Sequence, residues 1–103
     1  MGAWNFIEFG EGATAQEAFD ELVERAVWKH GHDPYNGTIS TTRLNGRHTV
    51  RVADEWGEEA REAAIAEAEA NDWGEKRESR VIDCGAVRDG RGRMWAFYGW
   101  AAC

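Results

Sequence analysis

The chain has 103 residues, 19 acidic against 12 basic side chains, a formal net charge of −7 and six tryptophans. That length is one domain, able to bury a core of its own. The charge excludes a general nucleic-acid binder, whose affinity comes from neutralising phosphates with Lys and Arg, and no segment of the sequence reaches membrane-spanning length.

Trp4 to Phe9 is aromatic and β-prone, which predicts a first strand that Gly10-Glu11-Gly12 ends. Thr14 followed by Glu17 is a capping box. Ala15, Ala18, Phe19, Leu22, Val23 and Ala26 then recur at helical spacing, predicting an amphipathic helix over 15–29. Lys29 and His30 suit its negative end, and Gly31 suits the left-handed residue after it. Pro34 blocks continuation, Asn36-Gly37 turns the chain and Thr38 opens the next strand.

Residues 38–53 predict a β-hairpin about Asn45-Gly46. That turn would set Leu44 opposite Arg47, Arg43 opposite His48 and Ile39 opposite Val52. Asp54 is the expected cap of a second helix over about 55–72, rich in Ala and Glu. The apolar face of this helix is thin: Trp56, Ala60, Ala63, Ala64 and Ala68. Gly74 ends it. Residues 80–87 and 93–101 predict a last hairpin around Asp89-Gly90, and the near-continuous apolar run of its second strand predicts a central strand. The predicted order is β-α-β-β-α-β-β. The expected fold is α+β and ferredoxin-like, an antiparallel sheet with two helices on one face and a single domain over 1–103.

Fifteen of the nineteen acids lie between Glu8 and Glu24 or between Asp54 and Glu75, mostly in the predicted helices. Eight of the twelve basic residues lie in the predicted hairpins or just before the last one: Arg43, Arg47, Arg51, Arg77, Arg80, Arg88, Arg91 and Arg93. The expected molecule is acidic on its helical side and basic on its sheet side. Arg favours planar contacts to phosphate, so Arg47 and Arg51 beside aromatic rings make a plausible nucleotide platform. The aromatic-glycine pattern of RNA-recognition domains is missing.

No phosphate loop, HExxH or nucleophile elbow is present. His30 and His32 with Asp33 are adjacent ligands in one loop, which is weak evidence for a metal. Cys84 with His48 would need a coincidence of fold to act as nucleophile and base. Cys84 sits in an apolar run and reads as a buried thiol, and Cys103 is the last residue. The expectation is no enzyme activity, no cofactor and no metal. The start of the chain lacks the basic and apolar regions of a signal peptide, so the expected location is the cytoplasm.

The segments Met-Gly-Ala-Trp (1–4), Gly-Ala-Thr-Ala-Gln-Glu-Ala-Phe (12–19), Gly-His-Asp-Pro-Tyr-Asn-Gly-Thr-Ile (31–39) and Phe-Tyr-Gly-Trp-Ala (97–101) resemble a group of small proteins of tailed phages and of actinobacterial and archaeal genomes. The resemblance covers both ends and the first helix and is weak across 43–93. It implies a source and no mechanism. A phage source favours a counter-defence binding protein in the host cytoplasm. One expectation is sequestration of a small nucleotide-like immune signal, with a possible homo-oligomer, through His30, His32, Tyr35, Thr38, Arg47, Arg51 and Trp100. The other is a protein-protein inhibitor, such as an anti-CRISPR or nucleic-acid mimic, that meets a basic host-defence protein through Glu58, Glu59 and Glu62.

Overall fold

The computed structural model describes residues 3–30, 39, 42–88, 90 and 92–102. Six elements follow in order: β1 (Ala3–Gly12), α1 (Ala15–His30), β2 (Arg43–Arg51), α2 (Glu58–Ala70), β3 (Glu78–Ala86) and β4 (Arg93–Ala102). The strands form one mixed sheet in the order β1-β4-β3-β2. β4 runs antiparallel to both neighbours, and β2 lies parallel to β3. The α+β class expected from the sequence is present; the ferredoxin-like order and the wholly antiparallel sheet are not.

The helices also lie on opposite faces of the sheet. Alternate side chains of one strand point to opposite sides, and the two cores divide along that alternation. Phe6, Val81, Trp95 and Phe97 pack with Ala18, Phe19, Leu22 and Val23 of α1. Ile7, Phe9, Ile82, Cys84, Ala96 and Tyr98 pack with Ala60, Ala64 and Ala68 of α2. β4 is therefore covered on both sides. Its unbroken apolar run needs a helix on each face, which one helical layer could not supply.

β1 runs three residues beyond the predicted strand because Gly10, Glu11 and Gly12 keep pairing with β4. The glycines serve the helix above. A side chain at Gly12 would come within 2.9 Å of the Ala18 backbone nitrogen. The capping box forms as expected: Thr14 Oγ1 accepts from the Glu17 N–H at 3.2 Å, and Glu17 Oε2 accepts from the Ala13 N–H at 3.2 Å.

The predicted 38–53 hairpin is overturned. Residues 43–51 form one strand along β3, paired at Arg43–Asn45 and again at Val50–Arg51, with a register shift between. Asn45-Gly46 does turn the chain, but as a bulge. Asn45 Oδ1 accepts from the Arg47 N–H at 3.0 Å, and Thr49 Oγ1 donates to the Gly46 carbonyl at 2.7 Å. Local turn chemistry was satisfied within the strand, and parallel pairing with β3 won over reversal.

Asp54 is not the cap of α2. Gly57 holds that place, without a side-chain hydrogen bond. Residues 54–56 instead continue along the end of β3, where Ala86 N–H donates to the Asp54 carbonyl at 2.9 Å and Trp56 N–H to the Ala86 carbonyl at 2.9 Å. This approach requires Gly85, whose φ is 97° and where an added Cβ would stand 2.5 Å from the Glu55 nitrogen. Past α2, the Trp73 N–H reaches back to the Ala68 carbonyl at 2.8 Å in a left-handed turn.

Phe97 is fully buried, with its ring centroid 5.5 Å from that of Phe19. Phe97→Ala is expected to lower stability by about 3–5 kcal/mol. In urea unfolding the midpoint should fall with the slope unchanged.

Candidate functional site

β2, β3 and β4 meet at the end of the sheet where α1 begins. The register sets Arg51 beside Asp83 and Asp83 beside Trp95, with Arg93 two residues before Trp95 on the same face. Asp83 is buried in a strand whose neighbours Val81, Ile82 and Cys84 are fully buried and apolar. A carboxylate in that setting needs partners, and it has three. Arg93 Nε donates to Oδ1 at 3.0 Å and to Oδ2 at 3.2 Å. Arg51 Nε donates to Oδ2 at 3.2 Å. The Gly85 N–H donates to Oδ1 at 3.0 Å. The last bond depends on the register shift between Asp83 and Ala86, which leaves Gly85 out of the ladder with β4.

Burial pushes the Asp83 carboxyl upward, but the Gly85 N–H and the Arg93 and Arg51 guanidiniums outweigh it and hold the group below its ordinary 3.8. Asp83 is thus an anion at neutral pH. Two guanidiniums against one carboxylate leave one net positive charge. Both reach Asp83 through Nε. Among the described residues Arg93 Nη2 is buried and has no hydrogen-bond partner, while the Arg51 side chain is 60% exposed. A planar guanidinium edge of this kind suits the oxygens of a phosphate or carboxylate. Trp95, half-buried on the same face, is fixed by its indole N–H, which donates to the Gly12 carbonyl at 3.0 Å.

The residues expected from the sequence do not form one site. Arg51 belongs to the cluster just described. Arg47 is exposed in the β2 bulge, beside a concavity of about 400 Å³ shared with Arg43, Asn45 and Glu78. Trp100 lies on the α2 face, away from Arg51, where its indole N–H donates to the Asp72 carbonyl at 3.1 Å. That bond ties down the turn after α2. His32, Tyr35 and Thr38 lie outside the described residues, as does the side chain of His30, the last residue of α1. Glu58, Glu59 and Glu62 are exposed on α2, opposite its buried Ala60, Ala64 and Ala68.

Among the described residues no group of three or more His, Cys, Asp or Glu is placed to hold a metal. No helix among them is long and apolar enough to cross a membrane. Cys84 is fully buried against α2. Burial first, and then the neighbouring Asp83 charge, push its thiol up to about 12, the opposite of an activated nucleophile. No known protein family matches the chain, and neither a curated protein nor a solved structure matches it significantly.

Two outcomes are expected. Asp83 has a depressed folded-state value, so its stabilisation is complete above the ordinary 3.8 and is lost as pH falls through the lower folded value. Asp83→Asn should therefore cost about 1–3 kcal/mol at neutral pH, and the gap to wild type should close in denaturant melts below roughly pH 4. In a Cys103→Ser background, Cys84 should resist alkylation at pH 8 in the native protein and react fully once urea unfolds it.

Proposed function

We propose that this protein is a non-enzymatic binding protein that sequesters a small anionic, nucleotide-like signal, in the manner of a phage counter-defence factor. The observation that carries the reading is the Arg51–Asp83–Arg93 cluster, in which one buried carboxylate orients two guanidiniums. Among the described residues Arg93 Nη2 is left buried and without a partner. A phosphate oxygen would satisfy that nitrogen and balance the local positive charge. Trp95, on the same face, supplies an aromatic surface for a base. Asp83 is a positioning residue here, since both arginines depend on it for their direction. The likeness of both chain ends to small phage proteins supports the counter-defence setting.

The second reading, a protein-protein inhibitor, rests on the solvent face of α2, where Glu58, Glu59 and Glu62 stand exposed. Acids presented in this way could meet a basic groove, such as one of a CRISPR effector or another nucleic-acid-binding complex. The two readings use opposite faces of the sheet, so substitutions separate them.

Native mass spectrometry of protein purified from cells with active nucleotide-signalling defences tests the first. The expected result is an added nucleotide-sized mass that leaves on heating. It should be lost from Arg93→Ala, and Arg51→Lys should retain less of it than wild type. A bare mass in every such preparation would overturn the reading. Counter-defence activity abolished only by charge reversal at Glu58, Glu59 and Glu62 would favour the second.

A further inference from the structure

β1 and β2 are the two edges of the sheet, and they differ. β2 is broken by its bulge and carries Arg43, Arg47 and Arg51, devices that discourage pairing with another chain. β1 pairs with β4 over ten consecutive residues without a bulge, and it contains no Pro, Lys or Arg. Among the described residues no strand lies on its outer side. A cavity of about 540 Å³ borders this strand, lined by Gly10, Gly12, Ala18, Glu21, Leu22 and Arg25 among others. A second concavity shares Glu21 and Arg25 and continues along the helix flank to Trp28. The two most exposed large apolar side chains, Trp4 at 65% and Trp28 at 86%, lie at the start of β1 and near the end of α1.

We propose that the outer edge of β1 pairs antiparallel with β1 of a second copy of this chain, making a two-fold dimer with one continuous sheet. The strand is self-complementary about Ile7. Centred there, the pairing sets Trp4 opposite Gly10 of the second copy, Phe6 opposite Glu8 and Asn5 opposite Phe9. No acid faces an acid, whereas centring the pairing on Glu8 would set Glu8 against Glu8. Trp4 and Gly10 both point to the α1 face. The exposed indole of each copy would then enter the cavity beside the glycine of the other, against Leu22 and Arg25.

The helices agree with this register. Gly10 lies under Ala18 and Leu22. Ile7 is three strand residues away, about 10 Å, which is six or seven residues along α1. The two-fold axis therefore passes near residues 26 and 27 of α1. About that axis, Glu24 faces Lys29 of the second copy and Arg25 faces Trp28, an opposite-charge pair and a cation–π pair. The area is also sufficient. A ten-residue edge and two tryptophans bury roughly 600–700 Å² per protomer, the low end of what a specific dimer needs.

Sedimentation equilibrium on the full chain, purified free of other proteins, tests this. The wild type should move from 11.6 kDa to twice that mass with rising concentration. Amide protection in β1 should rise with it. Trp4→Asp and Trp28→Ser, both at exposed positions that should leave folding intact, should each weaken association by about tenfold or more. A wild type that stays monomeric to roughly 100 μM, or a Trp4→Asp protein that dimerises as wild type, would overturn the proposal. The first result would leave the edge to a strand of a different protein. Nucleotide capture by Arg51 and Arg93 is read separately and does not depend on this outcome.

Discussion

The fold depends on β4, the strand that must be covered on both faces. Its Ala96, Phe97 and Tyr98 are all buried, and neighbouring residues point in opposite directions. One helix therefore has to lie on each side, and the thin alanine face of α2 lets it approach closely over Ile82, Cys84 and Ala96. Once β4 takes the centre between β1 and β3, the chain has two sheet edges and one crowded strand end. Both features on which the proposals rest follow from that arrangement: the arginine cluster at the end, and the open edge along β1.

The cluster is a consequence of placing an acid in the buried strand β3. Asp83 cannot remain there uncompensated, so the strand on each side supplies an arginine and the bulge supplies a backbone N–H. The carboxylate organises the basic pair, and the surplus positive charge faces the side on which Trp95 lies. In the proposed reading, a chain that is acidic overall keeps one local site for an anion, because short-range geometry and burial outweigh net charge at contact distance.

Much of this was legible in the sequence. The capping box of Thr14 and Glu17, both helices, the final hairpin, the buried Cys84 and the central place of β4 were all readable from periodicity and local chemistry. The 38–53 hairpin was not, because Asn45-Gly46 is a turn signal whether it closes a hairpin or a bulge, and only the availability of β3 decides between them. Placing both helices on one face followed from that error. The false hairpin also puts Arg47 and Arg51 on one face as a pair, and Trp100, expected beside them, lies on the other face of the sheet. The signal for the cluster in the sequence is Asp83 itself, a lone acid inside Val81-Ile82-Asp83-Cys84, which demands a buried partner. Arg93 was visible in the adjoining strand, but the register shift that aims it at Asp83 is a tertiary property.

The most direct test is to observe the arginine side chains by nitrogen-15 NMR while inorganic pyrophosphate is added. The account predicts that the Nε–H signals of Arg51 and Arg93 shift together and saturate, that Arg61 on α2 stays still, and that Asp83→Asn removes the response. Signals of Arg51 and Arg93 that move no more than that of Arg61 would contradict it and leave the cluster as an ion pair that only holds three strands together.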